Sequence, residues 1–419
     1  MQNRNYIIMG RTKRKRARSK YPRILNETLI RLQLWLSENN WKNESKLKIK
    51  LFNETGRGIA SKKSITPNDI LISIPASSLI TFAQVKISLP SATKVTIHEA
   101  LAMFLIVEKM KGVKSLWSEY LQSLPEEVPL LPWLATPEEI DSYPADFKLA
   151  IDRPLSDYAC FLKKACQLIG DVYEPLFPWA FAMVNTRAVY IDHDRVSTDS
   201  NSNLLLIDKP SMALCPFLDM FNHHYLAKTE AGLVEHDKKF YYELKSLNGY
   251  SKNEQIFISY GPHDNLKLLM EYGFFIPGNV YDTVRFRLEE ILKELNFSLD
   301  DNRYKFIKDH NFHHNLHLGY AGVSYNLKIV LFSGYTEDMK QLNMVAFSDS
   351  YPEDFLINYL TKCTAILLNY KKNSCLKELN TLTNLNQLSN CARNVVEYIR
   401  YRLLFVEELK VIFNKNCKS

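Results

Sequence analysis

Apolar and polar positions alternate with different periods along the chain, and the period changes mark its elements. From Asn26 to Asn39, apolar residues recur at helical spacing through Leu-Ile-Arg-Leu-Gln-Leu-Trp-Leu, which predicts one amphipathic helix. Lys46 to Leu51 alternates strictly between lysine and an apolar residue, the period of a strand with one wet face, and Phe52 extends it. Shorter strands are expected at Ile59-Ala60 and Asp69–Pro75, separated by a Thr-Pro-Asn-Asp turn. Residues 230–250 alternate well enough for a hairpin that leads into Ile256–Phe275. That last stretch combines a β-branched and aromatic run, a Gly261-Pro262 turn and a short helical run closed by Gly273. Asp264 or Asn265 is placed to cap the short helix.

Between the β-rich segments the chain turns helical. His98–Lys111 predicts a helix, Trp117, Tyr120 and Leu121 prolong its apolar pattern to the Pro-rich 125–137, and further helices are expected at Ser156–Ile169 and Phe177–Ala188. A helical block in this position reads as an insertion within a β-rich domain. Beyond Phe275, residues 288–295 are helical, and after Tyr320 the chain is mostly helical with few glycines, closing in the amphipathic run Cys391–Phe413. The expected organisation is a disordered basic tail (1–24), a first β-rich part (25–95), a helical insertion (96–205), a second β-rich part (206–280) and a separate helical domain presenting a surface (281–419).

Composition narrows the classes. At 419 residues the chain exceeds one typical core, and its 46% hydrophobic and 24% charged residues are those of an ordinary globular protein. No apolar run approaches the ~18 residues of a membrane span, and no signal-peptide apolar region opens the chain, so no membrane partner is expected. Seven scattered cysteines without a CxxC pair predict reduced thiols and argue against a cysteine-ligated zinc. The net charge of +7 is local, since residues 11–20 hold seven basic residues in ten and the remainder is close to neutral. That run reads as a signal for a nuclear import receptor, as a nucleic-acid-binding arm, or as a solvated tail without a receptor. Nucleic acid would be met at most through this tail, and the expected location is the nucleus and cytosol.

Several side chains could carry chemistry. Tyr260 stands at the end of one strand and Tyr272 after the short helix. Two phenols around an apolar slot suit a long alkyl chain with an amine tip, or else both are half-buried aromatics with satisfied hydroxyls. Gly56 and Gly58, flanking Arg57, let the backbone approach a ligand, although this GxG does not open a helix as a dinucleotide fingerprint does. Arg187 ends a helix, where it can meet the helix's own carbonyl end or anchor an anionic cofactor group. Asp219, Asn222 and His223 place a carboxylate, an amide and an imidazole in five residues, able to bond a purine edge or a neighbouring loop. His310, His313, His314 and His317 have the spacing of one helical face and could bind zinc. No glutamate lies among them to act as a base, and we expect no metal.

Taken in order, Gly56-Arg57-Gly58, Asn185-Thr186-Arg187, Asp219-x-x-Asn222-His223, Ile258-Ser259-Tyr260-Gly261 and Glu271-Tyr272-Gly273-Phe274 resemble the motifs of SET-domain methyltransferases. Each is modest alone; five in the right order are specific. The helical insertion and helical C-terminal region resemble the branch that includes the plant Rubisco large-subunit methyltransferases. Val184–Tyr190, Tyr260–Asn265 and the basic tail point to one subgroup of it. The resemblance runs from about residue 25 to the end and is weakest after 290.

The resemblance implies an α+β fold, the knotted β fold of a SET domain with a helical insertion, followed by an all-helical C-terminal domain. It implies S-adenosyl-L-methionine on one face and a target lysine entering from the other through a narrow channel. By matching positions, backbone groups around Gly56, Arg57 and Gly58 would contact the cofactor, and Arg187 would take its carboxylate. Asn222 and the His223 backbone would hold its adenine, with Asp219 in the same motif. Tyr260 would lie between cofactor and lysine, with Tyr272 lining the channel or stacking near the cofactor. Phe274 and Phe275 near the slot could limit how many methyls fit. The implied activity is protein-lysine N-methylation on a histone tail or another lysine-bearing protein, by a monomer. The alternatives are a protein-histidine methyltransferase of the same branch and a catalytically weak chromatin- or protein-binding module.

Overall fold

A computed structural model of the chain describes residues 21–86, 94–195, 206–385 and 387–415. The basic run 11–20, most of the expected tail and Cys417 lie outside these residues. Helix α1 (Tyr21–Glu38) begins ahead of Asn26 and takes in residues 21–24, which the sequence pattern assigned to the tail. Apolar periodicity marks only the packed part of a helix, here Leu29, Leu32 and Leu36, all buried.

Strands β1 (Leu47–Phe52) and β2 (Gly56–Ser61) form the first hairpin, followed by β3 (Ile70–Pro75) and the short α2 (Phe82–Lys86). The helical block comprises α3 (Ile97–Lys111), α4 (Ser118–Ser123), α5 (Pro137–Asp141), α6 (Ala145–Ile169) and α7 (Phe177–Arg187). Capping boxes start α3 at Thr96/Glu99 and α5 at Thr136/Glu139. Helix α6 starts well before Ser156 because Pro154, which reads as a helix boundary in sequence, lies inside it. Then come β4 (Ala188–Tyr190), β5 (Met212–Leu214), β6 (Asn222–His223), β7 (Thr229–His236), β8 (Lys239–Ser246), β9 (Gln255–Ile258) and α8 (Asn265–Tyr272). The remainder is β10 (Thr283–Arg285), α9 (Leu288–Glu294), α10 (Asp301–Asp309), β11 (His317–Gly319), β12 (Gly322–Val323), α11 (Tyr325–Tyr335), α12 (Met339–Ser348), α13 (Leu360–Thr383) and α14 (Asn390–Lys415).

The chain forms two compact units. One takes the chain up to Leu134, Asp152–Pro262 and Met270–Ile276; the other takes Ala135–Ile151, His263–Leu269 and Pro277 onwards. In the first unit, β9 is the middle of a sheet ordered β1-β2-β9-β6, antiparallel to β2 (Ile59↔Ile256) and parallel to β6 (His223↔Ile258). A second sheet is ordered β3-β8-β7, and β4 pairs with β5. Its core joins Ile59, Ile72 and Ile256 of the strands with Leu101, Leu105, Phe181 and Met183 of the helices.

The second unit is built on helices, but it also holds the small sheet β10-β11-β12, so the expectation of an all-helical region is corrected. Strands of two or three residues are too short to leave an alternating pattern in sequence. Asp264 caps α8, its Oδ1 accepting from the Lys267 N–H at 2.9 Å, while Asn265 donates to Asp282 at 2.8 Å. Burial pushes the Asp282 carboxyl up to about 6, against the hydrogen bonds from Tyr401 and Asn265. The histidine spacing is overturned. Helix α10 ends at Asp309, Asn311 and Asn315 adopt left-handed backbone (φ 59° and 55°), and His317 belongs to β11, so the four imidazoles share no helical face. Among the described residues, no helix is long and apolar enough to cross a membrane.

Arg402 is 4% exposed and ion-paired with Asp146, whose segment belongs to this unit. Burial would raise the Asp146 carboxyl, but Arg402 and then Lys371 hold it below its ordinary range. Removing one partner of a buried pair leaves the other charge uncompensated. Asp146→Ala is therefore expected to destabilise the protein by about 3–5 kcal/mol in urea unfolding; a loss below ~1 kcal/mol would show that the pair is not holding the segment.

Candidate active site

Three segments far apart in sequence meet around β2. A Cβ on Gly58 would stand 2.6 Å from Gln255 Nε2 and 2.9 Å from Asn222 Nδ2, so only glycine lets those two side chains cross the strand. Asn222 Nδ2 donates to the Arg57 carbonyl at 2.9 Å, tying β6 to β2. The Arg57 guanidinium donates to the Ser123 carbonyl of α4 at 2.7 Å. Gly56 takes φ 73° at the hairpin turn.

Arg187 closes α7, and its Nη1 lies 3.0 Å from both the carbonyl oxygen and the Oδ2 of Asp219. The Asp219 side chain is 0% exposed and also accepts from the Tyr120 hydroxyl at 3.1 Å. Arg187 Nη1 therefore binds Asp219 and not the carbonyl end of its own helix. Arg187 Nε, Asp219 Oδ1 and Gln255 Nε2 are nevertheless buried without a hydrogen-bond partner. Buried polar atoms of that kind are few in folded proteins, and two of them on the paired Arg187 and Asp219 mark a place where a polar ligand has partners waiting. Just before the Leu218–Met220 turn, Phe217 is held at φ 72° and packs against Trp41 at 4.9 Å between centroids. Such backbone is costly for a bulky residue and persists only where packing enforces it.

The second half of the site is aromatic. The Tyr260 hydroxyl donates to the Phe221 carbonyl at 2.7 Å, and its backbone N–H donates to His223 Nδ1 at 3.0 Å. That bond leaves the ring proton of a neutral His223 on Nε2. Tyr260 stacks on His223 with centroids 5.1 Å apart and lies 4.9 Å from Tyr272. Phe274 stands 6.1 Å from Tyr272 and 6.4 Å from His223, whereas Phe275 is buried in the core. Burial, with Glu271 adding to it, pushes the Tyr272 phenol up to about 12, so it stays a neutral donor. Asn185 Nδ2 donates to the Glu271 carbonyl at 2.7 Å, fixing the end of α8 to α7. Gly273 turns the chain at φ 75°, where a Cβ would come within 3.1 Å of the Leu130 backbone.

Nine of the residues picked out in sequence come together in two groups: Gly56, Arg57, Gly58, Arg187, Asp219 and Asn222 on one side, and His223, Tyr260 and Tyr272 on the other. Sequence reasoning gave no site role to Tyr120, Asn185 or Gln255. Asn185 stood in the Asn-Thr-Arg motif without a role of its own, Tyr120 was legible only as part of an apolar helical pattern, and nothing local distinguishes Gln255.

Residues 56–261 match the SET domain model. The chain is 33% identical over 350 residues to SET domain-containing protein 4 of Mus musculus, covering 77% of this chain and 77% of that protein. The chain belongs to the SET-domain methyltransferase family. The crystal structure of the SET domain of LSMT bound to lysine and AdoHcy superposes with a TM-score of 0.57 at 16% identity, covering 93% of this chain and 92% of that one, a likeness of fold. An actin-histidine N-methyltransferase of Otolemur garnettii is 27% identical over 281 residues, 61% of this chain and 44% of that protein.

Methyltransferases of this family use S-adenosylmethionine. The residues present fit such a ligand, since its amino-acid end needs a cation and an anion and its purine needs amide-type partners. Arg187 and Asp219 each keep one unpartnered buried atom, and Asn222 and Gln255 flank Gly58. Gly58→Ala would push both side chains off β2. The expected result is an approximately tenfold loss of S-adenosylmethionine affinity by calorimetry, about one hydrogen bond, with an unchanged far-ultraviolet circular dichroism spectrum. Unchanged affinity would remove Gly58 from the site.

Proposed function

We propose that the chain is an S-adenosylmethionine-dependent protein-lysine N-methyltransferase acting on lysine-bearing proteins, histone tails among them. The supporting observation is the wall of four rings, Tyr260, Tyr272, His223 and Phe274, beside the polar cluster at Gly58, Arg187 and Asp219. When bound, S-adenosylmethionine supplies an electrophilic methyl group on a sulfonium.

The chain's own residues have three tasks. Asn222, the His223 backbone, Arg187 and the Gly56–Gly58 backbone hold the cofactor. The aromatic wall desolvates the incoming lysine, and loss of hydration favours the neutral amine over the ammonium, whose ordinary pKa is ~10.4. Tyr260 then orients that amine. Its hydroxyl gives its proton to Phe221, and a phenol oxygen so engaged can accept an amine N–H and aim the nitrogen's own lone pair in line. Tyr272, neutral because burial and Glu271 raise its pKa, lines the same wall as a donor.

Histidine is the second reading, favoured by the similarity to an actin-histidine N-methyltransferase. Incubation with labelled S-adenosylmethionine and cell extract tests both, and amino-acid analysis of the labelled protein separates methyl-lysine from methyl-histidine. Tyr260→Phe is expected to cut kcat about a hundredfold while leaving cofactor affinity within roughly threefold, because a positioning hydrogen bond is lost and the fold is not. No label transfer by the wild type, with no cofactor binding by calorimetry, would sink the enzyme assignment.

A further inference from the structure

Among the described residues, Tyr120 is a fully buried phenol whose hydroxyl ends on the carboxylate of Asp219. It lies on α4, inside the helical insertion, and is 0% exposed. Its O–H donates to Asp219 Oδ2 at 3.1 Å, the same oxygen that takes Arg187 Nη1 at 3.0 Å. Burial, and then the charge of Asp219, pushes the phenol well above its ordinary range, so it is a donor at every working pH. One turn on, the Ser123 carbonyl accepts from Arg57 at 2.7 Å, so α4 touches both the arginine of the GxG segment and the Arg187–Asp219 pair.

We infer that Tyr120 is a positioning residue for the cofactor: it shares the charge of Asp219 and so keeps Arg187 from being drawn wholly onto that carboxylate. The inference rests on the cofactor reading of the Arg187–Asp219 cluster given above. A buried carboxylate with a single cationic partner pulls as many of its donors as geometry allows. With Tyr120 supplying a neutral donor, Asp219 is partly satisfied by a group that cannot move. Arg187 then engages Asp219 through Nη1, at the carbonyl oxygen and Oδ2, and leaves Nε, buried and unpartnered, for a ligand anion. Without the phenol, the guanidinium turns towards Asp219 and the free donor is lost. The insertion would on this account act on the cofactor and not on the protein target.

The test uses the full-length chain and S-adenosylmethionine, with calorimetry and steady-state kinetics. Tyr120→Phe is expected to weaken cofactor binding and raise the cofactor KM about tenfold, the scale of a hydrogen bond to a charged group, while the protein-substrate KM and kcat at saturating cofactor stay within twofold. Ser115→Ala is the matched control. It deletes another buried donor to a carboxylate in the same insertion, the 2.6 Å bond from Ser115 to Glu108, and should leave the cofactor KM unchanged. In an Asp219→Asn background, Tyr120→Phe should cost less than twofold more, since the charge it serves is gone. Equal cofactor affinity in Tyr120→Phe and wild type, an equal loss in Ser115→Ala, or full additivity with Asp219→Asn would each overturn the inference while leaving the enzyme assignment standing. A wild type that does not bind S-adenosylmethionine would overturn both.

Discussion

The parallel pairing of β6 with β9 is the interaction on which the site depends. It is only two residues long, Asn222↔Phe257 and His223↔Ile258, and short strands have little intrinsic stability. Side chains do the rest. Asn222 reaches the Arg57 carbonyl, the Tyr260 amide reaches His223, and the Tyr260 hydroxyl reaches the Phe221 carbonyl. Each such bond contributes on the order of 1 kcal/mol net, and together they replace the ladder that a longer strand would have supplied. The groups that close the pairing are also the groups that shape the aromatic wall.

Electrostatics is arranged on the other side of that pairing. Arg187 and Asp219 are nearly removed from water, at 13% and 0% side-chain exposure, where an ion pair holds only if further hydrogen bonds satisfy it. The structure satisfies it incompletely: Tyr120 and the Asp219 carbonyl engage it, while Arg187 Nε and Asp219 Oδ1 have no partner. Incomplete satisfaction lowers stability and is a reason to expect a ligand there. A cluster already organised around fixed dipoles loses little on binding, which is the advantage of placing it on a helix end and a tight turn rather than on a mobile loop.

The C-terminal unit solves a different problem. Its helices bury Leu327, Phe332, Phe355, Leu367, Leu368 and Leu409, but they also enclose Arg402, Lys371 and Asp146. The Asp146–Arg402 pair and the bond from Ser389 Oγ to Glu139 at 2.8 Å tether the segment 135–151 to helices more than two hundred residues later. Closing so long a loop costs only slightly more entropy than closing a short one, so a few well-placed polar contacts suffice.

Much of this was written in local pattern. The alternating Lys46–Leu51, the helical periods of His98–Lys111 and Cys391–Phe413, the hairpin at 230–250 and the cap at Asp264 are all determined by neighbours within a few residues, and all are seen. The order of the motifs carried the family, and with it the set of site residues. What periodicity could not carry was the partner of each group. Arg187 is bound to Asp219, Tyr120 enters the site from a helix read only as apolar, and the four histidines are dispersed by left-handed Asn311 and Asn315. The small β10-β11-β12 sheet and the attachment of residues 135–151 were likewise invisible. The sequence by itself determined which segments are helix or strand and which residue types are available for chemistry, because those depend on short-range sterics and periodic burial. Only the tertiary structure decided which donor meets which acceptor, because buried polar groups choose their partners across the fold, by desolvation and geometry, and not by their distance along the chain.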